Sequence, residues 1–267
     1  MTELSLNQRS TLKRGAQLVV VLLCAFALKL YYSNASPNQL RWILAPTTVI
    51  VELVSGRSFE FESYAGYISS DHTFLIAAAC AGVNFLITAF LMLSLSRLRR
   101  DRSQEMAWSF IPAAVVFAYL ATLIVNAVRI SIALQLQRTP LAVSWLSRNQ
   151  LHRVEGIFVY FGFLLLLFVI SEKMSSENPA GLPTHAKGPR ENPGVLRLSY
   201  FPLLIYYLTT LAIPLANGAY RQGFDFWVHS LFVLLIPLPL MLVLATFCFC
   251  RERRVPASHK GELLHRR

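Results

Sequence analysis

Long apolar stretches separated by short polar segments run through most of this chain. Six of them approach the ~20 residues that a helix needs to cross a bilayer, at about 17–32, 74–95, 107–135, 154–171, 198–216 and 227–250. A further apolar stretch, 40–53, is shorter and contains Pro46 and Glu52, so a re-entrant or interfacial segment is the more natural prediction for it. The pattern predicts an all-α, polytopic integral membrane helical bundle with about six to eight transmembrane helices.

The composition also indicates a membrane protein. Of the 267 residues, 55% are hydrophobic and 15% are charged, and the mean hydropathy is +0.48, well to the apolar side of a soluble domain. The formal net charge of +11 would suit a nucleic-acid partner. However, the basic residues form short clusters beside apolar stretches, without a basic face interleaved with aromatics. We therefore expect a lipid bilayer as the partner, and no nucleic acid.

The lysines and arginines predict the orientation, because cytoplasmic loops are enriched in them. They are frequent in the N-terminal tail, 96–106, 172–197 and the C-terminal tail, and sparse in 33–73, 136–153 and 217–226. Six spans with both termini in the cytoplasm satisfy this rule. The acidic segment 54–73 then faces outward. If 40–53 crossed the membrane, the arginines of 96–106 would face outward instead.

Four parts can be distinguished along the chain. Residues 1–175 form a membrane core that carries the candidate catalytic residues, and 176–197 form a cytoplasmic loop rich in proline and glycine. Residues 198–250 form an additional transmembrane hairpin, and 251–267 a basic cytoplasmic tail. The four cysteines lie in apolar stretches without CxxC spacing, so neither a zinc site nor a disulfide framework is predicted: Cys24, Cys80, Cys248 and Cys250.

Three residues with useful chemistry, Cys80, Arg129 and His152, each lie near one end of a different predicted span. The orientation derived from charge places all three ends on the same, non-cytoplasmic face. A thiol, a guanidinium and an imidazole at one depth supply a nucleophile, an anion stabiliser and a proton carrier. The sequence therefore predicts a membrane-embedded cysteine enzyme.

Each of these residues also has a structural interpretation. A cysteine in an apolar helix is usually structural, an arginine near a helix end can extend to the interface, and a histidine at the boundary of a span can simply contact water. Arg129 favours function most, since a charge at membrane depth costs roughly 2.5–3.5 kcal/mol. Asn84 lies four residues after Cys80, and Asn126 three before Arg129, so on continuous helices each shares a face with its neighbour. We expect both amides to contribute to substrate binding.

Three other polar residues lie near the expected site. Glu155, three residues after His152, could orient that imidazole or pair with Arg153. Lys29, in the first span, is expected to extend its ammonium to the interface. Glu52 could complete a polar pocket.

At these positions the chain resembles the exosortase/archaeosortase family, and most closely exosortase K. The resemblance covers about residues 17–171 and rests on three ordered motifs with one span between neighbours: Ala79-Cys80-Ala81-Gly82-Val83-Asn84, Asn126-Ala127-Val128-Arg129-Ile130 and His152-Arg153-Val154-Glu155-Gly156. The segment 40–47 and the pair Gly66-Tyr67 also resemble exosortase K. The spans in 198–250 have no counterpart in this motif core.

The resemblance implies a multi-pass transpeptidase of the bacterial inner membrane, with its active site facing the periplasm. Enzymes of this family are thought to process exported proteins with a C-terminal sorting signal of the PEP-CTERM type, in which a PEP-like motif precedes a transmembrane helix and a basic tail. By motif, Cys80 would be the nucleophile, Arg129 the oxyanion stabiliser and His152 the general acid/base. The acceptor is unknown, and no cofactor or metal is implied.

Two other classes of protein are alternatives. A non-enzymatic transporter or channel could bind an anion at Arg129 and relay protons through His152. The polar residues of the predicted spans collect near one face, however, and no inverted repeat is visible. A metalloenzyme would need more ligands than Cys80 and His152, and the remaining histidines lack HExxH-type spacing: His72, His185, His229, His259 and His265.

Overall fold

The computed structural model describes residues 2–100, 107–138, 148–176, 195–243 and 246. Its helices are α1 (Thr2–Asn34), α2 (Arg41–Ser55), α3 (Val83–Arg100), α4 (Phe110–Arg138), α5 (Arg148–Ser176), α6 (Val195–Tyr207), α7 (Ile213–Ala216) and α8 (Phe224–Leu235). Most of the predicted loop 176–197, the tail 251–267, and Cys248 and Cys250 lie outside the described residues.

Five helical stretches are long and apolar enough to cross a membrane: Thr11–Asn34, Ala78–Arg99, Phe110–Gln137, Gln150–Met174 and Phe226–Val243. Another apolar helical stretch, Tyr200–Ala216, is shorter. Along α1, Leu23 and Phe26 are 59% and 61% exposed, as expected of side chains that face lipid and not water. The predicted all-α, polytopic helical bundle is confirmed.

Helix α3 forms the centre of the bundle and contacts α1, α4, α5 and α6. Its buried side chains include Phe85, Ala89 and Met92. The C-terminal hairpin packs against this centre through a polar contact, where the Thr88 and Thr209 hydroxyl oxygens are 2.9 Å apart. Thr209 lies in a π-helical turn, Leu208–Ala212, that joins α6 to α7. The extra hairpin is therefore an integral part of the bundle.

Helix α2 packs alongside only part of the length of α4. At its start, the Tyr119 hydroxyl donates to the Trp42 carbonyl oxygen at 2.8 Å, and the two rings stack. After α2, the Thr73 carbonyl oxygen accepts a hydrogen bond from Gln137 Nε2 at 2.9 Å. Tyr119 and Gln137 are about 27 Å apart along α4, whereas the 15 residues of α2 extend about 22 Å. The segment 40–53 thus runs from about a third of the way along α4 towards the end marked by Gln137.

A small antiparallel sheet at that end was not predicted. Its strands are β1 (Phe59–Glu62), β2 (Gly66–Ser69) and β3 (Leu75–Ile76), with β2 in the middle. The alternation of phenylalanine and glutamate in β1 was an available strand signal. The expected span start at residue 74 is wrong, because Leu75 and Ile76 belong to β3 and helix α3 begins at Val83. We call this end of the bundle the sheet end.

Candidate functional site

Cys80 lies at the sheet end, in a 3₁₀ turn (Ala78–Cys80) between β3 and α3. Gly82 has φ +72°, in the left-handed region that glycine adopts readily, and it separates this turn from α3. A continuous helix from Cys80 to Asn84 was therefore a wrong prediction, and these two residues do not share a helical face. A Cβ at Gly82 would also lie 3.0 Å from Asn126 Cγ, so glycine allows α4 to approach the turn.

Asn126 fixes the main chain of Cys80. Its Nδ2 donates to the Cys80 carbonyl oxygen at 2.6 Å, and its Oδ1 accepts from the Tyr160 hydroxyl at 2.9 Å. The residue is fully buried. The amide nitrogen and the amide oxygen thus each have a partner within the protein, and the expected contribution of Asn126 to substrate binding stays a prediction.

Arg129 is held by two residues of α5. Its Nη1 donates to the Tyr160 hydroxyl at 3.2 Å, and its Nη2 is 3.0 Å from His152 Nε2. The guanidinium also lies over the Tyr160 ring, 5.2 Å from the centroid. A Cβ at Gly156 would come within 3.0 Å of Arg129 Nε, so the glycine provides the space for this side chain. The buried Nε has no hydrogen-bond partner among the described residues.

The contact with Arg129 also orients His152. Because a guanidinium has only donors, His152 Nε2 must accept, and the ring proton resides on Nδ1. Nδ1 faces Glu155 Oε2 at 3.5 Å. Both oxygens of the buried Glu155 lack a hydrogen-bond partner among the described residues, so its expected role, to orient the imidazole or to pair with Arg153, stays a prediction.

Hydrogen bonds connect the turn of Cys80 to these groups. Asn126 bonds both the Cys80 carbonyl oxygen and the Tyr160 hydroxyl, and that hydroxyl accepts from Arg129 Nη1. Arg129 in turn contacts His152 through Nη2. The structure thus links the main chain of Cys80 to Arg129, and Arg129 to His152, at the sheet end.

Two polar residues lie elsewhere than expected. Lys29 Nζ donates to Asn84 Oδ1 at 2.9 Å and so links α1 to α3. This hydrogen bond explains a charged residue in the first span better than the expected extension of its ammonium to the interface does. Glu52 accepts through Oε1 from the Phe59 backbone N–H at 2.7 Å, and therefore joins α2 to β1.

Sequence reasoning missed Tyr160, which contacts both Arg129 and Asn126. Its only signal was helical spacing, because it lies one turn beyond Gly156 and two turns beyond His152 on α5. A tyrosine in an apolar helix is usually a packing residue, and hydropathy does not distinguish such a tyrosine from one whose hydroxyl contacts a polar site. Within the described part of the chain, no three histidine, cysteine or acidic side chains are grouped so that they could hold a metal ion.

No protein-family model matches the chain, and comparisons with curated proteins and with solved structures return no match. The class defined by the fold is a polytopic helical bundle with several helices apolar enough to cross a membrane. The site at its sheet end is the basis for the assignment that follows.

Proposed function

We propose that the chain is a membrane-embedded cysteine transpeptidase or peptidase of the exosortase type. Its substrates would be exported proteins with a C-terminal sorting signal of the PEP-CTERM type, cleaved through an acyl-enzyme at Cys80. The observation that carries this proposal is the direct contact of Arg129 with His152, 3.0 Å between Nη2 and Nε2, beside the turn that holds Cys80.

The proposed reaction is nucleophilic acyl transfer. The Cys80 thiol gives its proton to His152, and the thiolate sulfur bonds to the carbonyl carbon of the scissile peptide. Arg129 stabilises the negative oxygen of the tetrahedral intermediate. As the C–N bond breaks, His152 returns the proton to the departing amine, which leaves a thioester on Cys80. An acceptor amine or water then attacks the thioester and releases the enzyme.

The described geometry supports these roles. Asn126 holds the Cys80 main chain at 2.6 Å, and Glu155 Oε2 lies 3.5 Å from His152 Nδ1. During the reaction His152 Nε2 must exchange Arg129 for the thiol proton, which releases an arginine donor for the oxyanion. Orienting groups of this kind reduce the entropy cost of reaching the transition state.

The proposed location is the bacterial inner membrane, with both termini in the cytoplasm and the sheet end facing the periplasm. The distribution of lysine and arginine supports this orientation. An exported protein with a hydrophobic helix and a basic tail would meet the site from that side.

The test is mass spectrometry of membrane proteins from bacterial cells that express the chain with an exported reporter carrying such a C-terminal signal. We expect the C-terminal segment to be removed by the wild type and to stay attached with Cys80→Ala or Cys80→Ser. Cys24→Ala, at an exposed cysteine of α1, is the matched control and should process normally. Full processing by Cys80→Ala would overturn the proposal.

A further inference from the structure

We infer that Tyr160 is a positioning residue, whose hydroxyl sets the distance between the Arg129 guanidinium and the Cys80 sulfur. The inference rests on the proposed function, because it concerns the electrostatics of the same thiol. It assigns a role to a side chain that no motif of the sequence singled out.

The hydroxyl lies in the middle of an uninterrupted chain of hydrogen bonds. Arg129 Nη1 donates to it at 3.2 Å, it donates to Asn126 Oδ1 at 2.9 Å, and Asn126 Nδ2 donates to the Cys80 carbonyl oxygen at 2.6 Å. A hydroxyl has one proton and two lone pairs, so both of its contacts can form at once. The cation and the main chain of the nucleophile are therefore linked through one oxygen atom.

The ring and the hydroxyl of Tyr160 have separable roles. The ring stacks on Phe85 at 5.2 Å between centroids and lies under the Arg129 guanidinium. Phenylalanine at this position would keep both ring contacts and the apolar burial. Only the hydroxyl reaches Asn126, so Tyr160→Phe removes the link while leaving the packing in place.

The position of Arg129 matters because the interaction between two charges weakens with distance and with exposure to water. In Tyr160→Phe, the guanidinium keeps its His152 contact and loses the one that relates it to the Cys80 turn. Its field at the sulfur should then decrease. A purely structural role for Tyr160 would instead alter access to the thiol for all reagents alike.

The experiment compares alkylation of Cys80 by iodoacetate, which is anionic, and by iodoacetamide, which is neutral and of similar size. The protein is the full chain with Cys24, Cys248 and Cys250 changed to serine, in nanodiscs of phosphatidylcholine. The ratio of the two rate constants reports the positive field at the sulfur and cancels general access. We expect Tyr160→Phe to lower this ratio about tenfold, equivalent to ~1.4 kcal/mol, with the iodoacetamide rate little changed.

Two further variants give the lower and upper reference values for this ratio of rate constants. Arg129→Gln should lower the ratio at least as far as Tyr160→Phe, because the cation is absent. Tyr207→Phe is the matched control, since its hydroxyl donates to the Leu234 carbonyl oxygen at 2.8 Å, and it should leave the ratio unchanged. Thermal unfolding followed by tryptophan fluorescence verifies that each variant is folded.

An unchanged ratio in Tyr160→Phe, together with a reduced one in Arg129→Gln, would overturn the inference and leave the proposed function standing. Equal slowing of both reagents would also overturn it, in favour of a structural role. If Tyr160→Phe does not fold, Arg129→Lys replaces it, because lysine keeps the charge but lacks the two separate nitrogens with which the guanidinium contacts Tyr160 and His152. A wild-type ratio in Arg129→Lys would then overturn the inference. Processing of the reporter is a separate measurement, which tests the proposed function and not the role of Tyr160.

Discussion

The Arg129 guanidinium and the His152 imidazole are in direct contact, with 3.0 Å between Nη2 and Nε2. The two side chains come from α4 and α5, and both would carry a positive charge if the imidazole were protonated. Their contact forms only with the neutral ring, whose Nε2 lone pair faces the guanidinium. The described contact therefore corresponds to a neutral His152 whose Nε2 accepts from Arg129.

This contact predicts the tautomer of His152. In ¹⁵N-labelled protein, NMR should show the proton on Nδ1 near neutral pH, on the side of Glu155 Oε2. Arg129→Gln should shift the His152 resonance, while the resonance of His229, on α8, stays in place. A ring protonated on Nε2 at neutral pH would contradict the geometry.

Gly156→Ala should disturb the same cation. The added Cβ would lie 3.0 Å from Arg129 Nε, so the guanidinium must shift by a few tenths of an ångström. We expect processing of the reporter to fall, by up to about a hundredfold, because small displacements of catalytic groups are costly. Alanine favours the helix over glycine by about 1 kcal/mol, which limits any loss of stability.

Gly162→Ala is the matched control for that variant. It lies on the same helix, and a Cβ there would meet nothing within 4 Å. Its activity should equal that of the wild type, and its helix should be slightly more stable. Equal activity in both alanine variants would show that Gly156 does not determine the position of Arg129.

Sequence reasoning predicted the fold class and the meeting of Arg129 with His152, for one physical reason. Apolar length identifies spans, and lysine and arginine orient them, so residues near the ends of different spans can be assigned to one face. The residues 74–82 escaped this reasoning. They are apolar because Ile76, in strand β3, is buried and because the Cys80 turn packs against α4. A buried strand and a membrane span cannot be distinguished by hydropathy alone.

The partners of the polar groups could not be predicted either. Lys29 and Asn84 are 55 residues apart, and nothing local to either shows that α1 and α3 are neighbours. Tyr160 is the one tyrosine of α5, but the helical pattern does not show that its hydroxyl contacts Arg129 and Asn126. Pairings of this kind arise from tertiary packing, which a single sequence does not encode in its periodicity.

The link between Lys29 and Asn84 predicts an energetic coupling between α1 and α3. Lys29→Met and Asn84→Ala should each lower the stability of the folded protein, and the double variant should be more stable than the sum of the two losses indicates. Because the donor is a charged ammonium, a hydrogen bond of this type contributes about 1.5–3 kcal/mol. A double-mutant cycle of thermal unfolding measures it. Additive losses would show that the two side chains do not interact.

Asp71, in the turn between β2 and β3, predicts a loss of stability in acid. Its pKa is lowered from 3.8 to about 2, above all because the Ser69 hydroxyl donates to it at 2.6 Å, and also because Thr73 donates through its hydroxyl and its backbone N–H. Since the folded pKa lies below the unfolded one, the ionised carboxylate stabilises the fold above about pH 4. This stabilisation should disappear as the pH falls through about 2.

Thermal unfolding of the wild type and of Asp71→Asn, measured from neutral pH to about pH 2, tests this effect. The wild type should be the more stable above about pH 4, and the two curves should converge as Asp71 is protonated. Glu60→Gln, at an exposed carboxylate of β1, is the control and should follow the wild type throughout. Parallel curves for the wild type and Asp71→Asn would show that these hydrogen bonds do not hold the carboxylate ionised, and that the turn before β3 is stabilised by its backbone pairing alone.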